Sequence, residues 1–401
     1  MRVSVVIPTY WTSLNPRVQC QTPDAIYDHP TPLDSQSTLP RLLDSLNETD
    51  MPKKSAKIIV IATATHRTLE DKAEKRTREI IGEYSDQFDI RLISASTLRA
   101  IESKDASLAQ LLNLYGYSNV RNIGLAVAQI LESDILIFLD DDVIVKDHSY
   151  FQKASEYIGK TMDNTLLGGV AGYYTNEDDS YVLDINPRAW WKAFWPKERK
   201  MNEAFKIIET SERLAETSFA FGGNMIVHWK MFQEIPFDPY ITRGEDMDLL
   251  VNAAMFGFKI LLDTKLSVLH LPGEKKSQWS EMRQDLYRFL YMREKLQGQR
   301  NIKNIKRVTI ESLAPYIGYF LHLQTPFKSA ASNCLNSLHS LFQGNLDDLR
   351  EFTRNILEIP FAYRFARKYR GDYFEFQKKW QAQIPKIRGN LVLAEFIKSS
   401  H

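Results

Sequence analysis

Apolar residues follow two rhythms through roughly the first 270 positions and one rhythm after that. Short, nearly unbroken runs at Val3–Ile7, Lys57–Ala62, Ile90–Ser94 and Ile135–Leu139 have the length and Val/Ile content of buried strands. Between them, Leu39–Leu46, Thr68–Tyr84 and Asn119–Leu131 carry a helical period. In the last of these, Val120, Ile123, Val127, Ile130 and Leu131 share one face, and Ser118 stands where an N-cap belongs. Strands alternating with helices of this length predict an α/β fold: a mostly parallel sheet with helices on both faces. Ligands of such sheets bind at the carboxyl ends of the strands.

Two stretches break the alternation. Residues 11–36, with Pro16, Pro23, Pro30 and Pro32, read as a long loop after the first strand. Residues 186–202 read as an aromatic and basic loop containing Trp190, Trp191, Phe194 and Trp195. Long loops in compact domains are functional or disordered. Beyond about residue 275 the strand rhythm stops, and Leu286, Phe289, Leu290, Arg293 and Leu296 mark a helix face. The expected organisation is an α/β unit over residues 1–275. A helical region, 276–401, follows.

Composition narrows the class. Hydrophobic residues make up 44% and charged residues 25%, which excludes a disordered or fibrous chain. Two cysteines far apart, Cys20 and Cys334, argue against a disulfide framework and a Cys-based metal site. No run reaches the length of a membrane span, and the first apolar run is too short for a signal-peptide core, so a cytoplasmic protein is expected. The net charge of +1 hides an asymmetry: residues 276–401 hold 21 Lys and Arg against 11 Asp and Glu. A tail carrying +10 suits the inner face of an anionic membrane, with Asn355–Arg370 as the contacting segment; it equally suits a helix packed on the catalytic unit or a second subunit.

Chemistry concentrates at strand ends. Asp140, Asp141 and Asp142 close the Ile135–Leu139 run, and like charges about 4 Å apart repel by roughly 4 kcal/mol at an effective dielectric near 20. Such a cluster must keep a proton or recruit a cation; otherwise it is a solvated turn. Glu245, Asp246 and Asp248 open a helix, where acids complement the helix dipole or project into a cleft as a base. His270 ends a strand-like run and is either structural or a ligand. Arg121, Asn122 and Gly124 are poor choices for a helix start, and such local violations tend to mark sites. Gly222 and Gly223 precede Asn224 in a strand-like run, the mark of a bulge or a closely approaching ligand.

In order along the chain, Val-Val-Ile-Pro-Thr-Tyr, Arg-Asn-Ile-Gly, Phe-Leu-Asp-Asp-Asp, Gly-Gly-Asn-Met and Gly-Glu-Asp-Met-Asp-Leu resemble the motifs of GT-A fold glycosyltransferases, specifically glycosyltransferase family 2, over about residues 1–270. The resemblance implies a GT-A, Rossmann-like catalytic domain over 1–275, with a nucleotide-sugar half to about 145 and an acceptor half over 146–275, and hexosyl transfer from a UDP- or GDP-hexose to an acceptor hydroxyl. Its nucleotide-sugar contacts would be Pro8, Thr9, Tyr10, Thr63, Arg67, Arg121, Asn122, Gly124, Asp140 and Asp141. Gly222, Gly223 and Asn224 would approach the donor sugar and acceptor. Asp142, Asp140 and His270 would hold Mn²⁺ or Mg²⁺, and Asp246, with Glu245 beside it, would be the base of an inverting enzyme. The chain departs from the family after the second strand, where Thr63, Thr65, His66 and Arg67 stand in place of the usual acid. It also lacks a Gln-x-x-Arg-Trp motif, since Trp279 and Arg283 do not reproduce it, so single-sugar transfer is expected over polymer synthesis. A retaining transferase, a nucleotidyltransferase and a nucleotide-sugar-binding scaffold are the alternatives; no nucleic acid partner is expected, and the acceptor, sugar or lipid-linked, is open.

Overall fold

The computed structural model describes residues 1–14, 27, 29–53, 55–271, 273 and 278–398. Its centre is one sheet made of β1 (Val3–Thr12), β2 (Lys57–Ala64), β3 (Ile90–Ile93), β4 (Ile135–Leu139), β5 (Val143–Ile144), β6 (Thr165–Thr175), β7 (Asn224–His228) and β8 (Lys259–His270). The spatial order is β3-β2-β1-β4-β7-β6-β8-β5. The four strands β3, β2, β1 and β4 are parallel, β7 runs antiparallel to both β4 and β6, and β8 lies parallel to β6. The chain thus winds outward from β1 to β3, then returns to lay β4 on the other side of β1. That reversal opens a crevice beyond the carboxyl ends of β1 and β4, where the three aspartates follow Leu139.

Alternation along the strands decides which face each side chain covers. Val6, Ile59, Ile61, Leu136 and Phe138 point to one core, shared with the Tyr117–Ile130 helix. Val5, Ile7, Ile58, Val60 and Ile137 point to the opposite core, shared with the Leu39–Asn47 and Glu70–Gly82 helices. Both faces are therefore covered, as the apolar pattern predicts.

Several boundaries differ from the sequence expectation, each for a local reason. β1 runs on through Pro8 to Thr12, because β2 keeps pairing as far as Trp11↔Ala64 after β4 stops at Val6↔Phe138. Proline is tolerated where one side of a strand is free of a ladder. Thr31–Pro32, within the expected 11–36 loop, adds a short parallel pairing to β1; Pro16, Pro23 and half of that loop lie outside the described residues. Ser118 is not the cap of its helix. Gly116, at φ +89°, makes the turn, and the helix starts at Tyr117. Only glycine adopts that backbone freely. Gly222 and Gly223 sit in a turn leading into β7, closed by Asn224 N–H to the Phe221 carbonyl at 3.0 Å, and not within the strand. The aromatic loop is partly helical, at Trp190–Lys192 and Lys197–Phe205.

The helical region is not an appendage. The Gln278–Gly298 helix is buried on nearly every side, with Leu286, Phe289, Leu290 and Leu296 in a core that also takes Met247 and Val251 from the Glu245–Met255 helix. Trp279 and Arg283 fasten it to the Leu346–Tyr369 helix, Arg283 bonding Glu351 and Asn355. Farther on, Trp380, Ile384, Ile387 and Ile397 return to the core beside β1–β4.

Candidate active site

At the carboxyl end of β4 the three aspartates separate into three environments. Asp140 accepts from Arg121 Nη2 at 3.0 Å and from the Tyr174 hydroxyl at 2.9 Å. Asp141 turns into the protein, where burial and its two acidic neighbours push its carboxyl well above the usual range. Asp142 faces His270 at the end of β8, with Nε2 3.3 Å from Oδ2. Although burial opposes its charge, His270 and the nearby His29 hold the Asp142 carboxyl below its ordinary value. The repulsion inferred from sequence is thus divided: an arginine offsets one charge, a histidine another, and the third carboxyl favours its proton.

Arg121 joins the two acidic motifs. It comes from the second turn of the Tyr117–Ile130 helix and is 3% exposed. Nε donates to Glu245 at 2.8 Å, Nη1 to the Gly222 carbonyl at 2.8 Å, and Nη2 to Asp140. Burial works against its charge, and Asp140 and Glu245 outweigh that penalty. Removing one partner from such a buried set costs ~3–5 kcal/mol.

Gly222 also donates its N–H to Asp246 Oδ2 at 2.9 Å, and Met247 N–H meets Oδ1 at 2.7 Å. Burial, reinforced by the Glu245 charge, raises the Asp246 carboxyl to about 7. Glycine is required in this turn by space. A Cβ on Gly222 would stand 2.3 Å from Arg121 Nη2, and one on Gly223 2.3 Å from the Asp140 carboxylate. Gly244 at φ +69° starts the Glu245–Met255 helix, and a Cβ there would meet Arg288 Nη1 at 2.2 Å.

These groups line a cavity of about 260 Å³, together with Tyr10, Asp141, Tyr117 and Tyr174. Sequence reading overlooked several of its walls. Tyr174 stacks between Phe221 and His270, at 4.4 and 4.5 Å, and its hydroxyl accepts Gly223 N–H at 3.0 Å. Lys197, Arg243, Arg288 and Tyr316 form a basic wall, with Lys197 and Arg288 braced on Asp285. No motif announces these side chains; strand ends and helices distant in sequence bring them together.

Other expected site residues stand behind the cavity or away from it. Asn122 brackets the Phe237 backbone, donating to its carbonyl and accepting its N–H. Gly124 lets its helix approach β1 and β4, since a Cβ would lie 2.8 Å from Val6. Asn224 is committed to Tyr150, Tyr173 and Leu266. Pro8 and Thr9 are buried in β1, and Thr63 donates to the Leu114 carbonyl at 2.7 Å. Arg67 is exposed and lies over the Tyr115 ring. Their positions support the scaffold of the site more than contact with a ligand.

Among the described residues, no group of three or more His, Cys, Asp or Glu side chains gathers as a metal site. Asp140 accepts one bond on each oxygen, from Arg121 and Tyr174, while Asp142 faces His270. One carboxylate and one imidazole suit a divalent ion that completes its shell with substrate phosphate oxygens and water.

No family model and no curated protein matches the chain. Among solved structures it is similar to the mannosyltransferase PcManGT from Pyrobaculum calidifontis, in complex with GDP-Man and Mn²⁺, at 13% identity and TM-score 0.47, covering 95% of this chain and 87% of that one. It is also similar to S. aureus TarS 1–349, at 14% identity and TM-score 0.45 over 98% and 92% of the two chains. The TarS 1–349 structure in complex with UDP gives 15% identity and TM-score 0.40 over 92% and 91%.

Proposed function

We propose that the chain is a glycosyltransferase that moves a hexose from a nucleotide diphosphate sugar to an acceptor hydroxyl with inversion. The observation that carries this reading is the pairing, in one cavity, of a buried carboxyl at about 7, Asp246, with the Asp142–His270 pair at the end of β4. The first suits a proton acceptor and the second suits a diphosphate-bound cation.

Asp142 and His270 would hold Mn²⁺ or Mg²⁺, which when bound neutralises charge on the departing diphosphate. Asp140, fixed by Arg121 and Tyr174, offers the remaining lone pairs of its carboxylate to a donor hydroxyl. Asp246 takes the proton of the acceptor hydroxyl as its oxygen attacks the anomeric carbon. The bond from that carbon to the phosphate oxygen breaks on the opposite face, and the pair of electrons leaves with the diphosphate. Each Asp246 oxygen accepts one backbone N–H and keeps a lone pair for the incoming proton. Tyr174 remains protonated, because burial and Asp140 raise it well above its ordinary value, and so serves as a donor.

A thermal-shift panel of UDP- and GDP-hexoses, each with and without Mn²⁺ or Mg²⁺, tests the binding half of the proposal. A ligand at about 100 times its Kd stabilises by roughly 2.7 kcal/mol, which shifts Tm by a few degrees. A metal-dependent shift with one nucleotide class, abolished in Asp142→Ala, is expected. No shift with any donor would set the reading aside in favour of a different ligand for the cavity.

A further inference from the structure

The Thr325–Phe342 helix is amphipathic the wrong way round. Its buried positions are Thr325, Ser329, Ser332, Asn333, Asn336 and Ser340, all polar. Its outward positions include Phe327, Leu338, Leu341 and Phe342, which are 68%, 47%, 52% and 77% exposed. Helices of water-soluble domains place the apolar stripe against the core. Covering such side chains is favourable, and clustered exposure of this kind marks an interaction surface.

The orientation is specific. Asn336 Nδ2 donates to the Trp191 carbonyl at 3.4 Å, and Asn355 Nδ2, from the neighbouring helix, donates to Asn333 Oδ1 at 3.0 Å. Rotating the helix to hide its apolar face would break both of these bonds to neighbouring elements.

We propose that this outer face lies on the surface of an anionic phospholipid bilayer. Three observations favour lipid over a protein partner. First, the chain has no carboxylate from Ser312 through Leu346, so the face carries nothing that anionic headgroups repel. Second, the aromatic loop runs beside the helix: Trp191 stacks on His339 at 3.6 Å, Phe194 meets Phe327 at 6.3 Å, and Trp190 and Phe194 remain 46% and 41% exposed. Tryptophan settles at the headgroup level of membranes. Third, that loop carries exposed Arg188 and Arg199, and basic groups near a bilayer surface are attracted by anionic lipid. Among the described residues no helix is long and apolar enough to cross a membrane, so the helix lies in the interface plane. The segment expected from sequence to make such contact, Asn355–Arg370, turns Asn355, Ala362 and Ala366 inward and leaves Leu357 and Phe361 exposed.

This inference is independent of the transferase reading. The test is co-sedimentation of the full chain with vesicles of phosphatidylcholine containing about one third phosphatidylglycerol, at low salt. Wild type is expected to pellet, and Phe327→Ser/Leu338→Ser/Phe342→Ser to lose at least about tenfold in partitioning, with its thermal unfolding retained because all three positions are exposed. Absence of pelleting, or equal pelleting by the variant, overturns the proposal. A wild-type dimer in sedimentation velocity that the variant abolishes, without vesicle binding, overturns it in favour of a second copy of the chain. An environment-sensitive fluorophore on exposed Cys334, in a Cys20→Ser background, reads the same face without altering it. Its emission is expected to shift blue only with anionic vesicles.

Discussion

Asp246 holds two backbone N–H groups and still keeps its carboxyl near neutrality, because burial and Glu245 outweigh those bonds. A base must be ionised to accept a proton, so kcat/KM should fall about tenfold per unit below pH about 7, and a rate profile over the acid limb measures this. Asp246→Asn should lower kcat by roughly 10²–10⁴ while donor binding by thermal shift persists. The amide replaces one acceptor by an NH₂ facing a backbone N–H, so a separate stability loss of ~1–3 kcal/mol is expected in denaturant melts. Transfer at the wild-type rate would remove Asp246 from the chemistry. Gly222→Ala tests the neighbouring peptide. Its methyl falls on Arg121 Nη2, and the arginine must move from Asp140 or the turn must open. Either outcome should cost ~1–3 kcal/mol of stability and most of the activity, whereas Gly82→Ala, with open space around its Cβ, should cost neither.

At the scale of elements, the Glu245–Met255 helix is held by the helix that follows β8. Lys295 Nζ, fully buried, reaches Asp238 at 2.8 Å, Asp248 at 2.5 Å and Asn252 at 3.0 Å. Burial lifts Asp248 to about 6 against the pull of Lys295. Lys295→Met would strand two buried carboxylates, and a loss of ~3–5 kcal/mol is expected by urea unfolding. Adding Asp248→Asn should recover part of it.

The strands, the helices between them and both acidic motifs are legible in sequence because their signals are local: β-branched runs, a helical period, carboxylates at a strand end. Gly116 was hidden because Ser118 gave a stronger capping signal than a glycine whose φ is unknown from sequence. Tyr174, Lys197 and Arg288 were hidden because their roles arise from tertiary neighbours. Asn122, Gly124 and Asn224 drew attention as local oddities, and their explanation is buried bracketing and close packing.

Across the whole molecule, the charge asymmetry read from sequence turns out to be intramolecular in part. Basic side chains after residue 276 pair with acids before it: Lys295 with Asp238 and Asp248, and Arg388 with Asp134, and Arg388 also donates to the Ser133 carbonyl. At the same scale, the cavity draws walls from β1, β4, β6, β8 and the Gln278–Gly298 helix, so a fragment ending near residue 275 should fail to bind nucleotide sugar. Isothermal titration of fragment and full chain decides this.

The return of residues 380–397 has a further meaning for how the protein is made. Trp380 donates its indole N–H to the Phe232 carbonyl at 2.9 Å, and the Leu391–Lys398 helix contributes Leu393 and Ile397 to the core that holds Val6 and Phe138. Synthesis proceeds from the N-terminus, so a growing chain exposes that apolar groove until its late segment leaves the ribosome. Chaperone occupancy should therefore persist until residues 380–397 have emerged, and the proposed activity should begin only on chains that carry the Leu391–Lys398 helix.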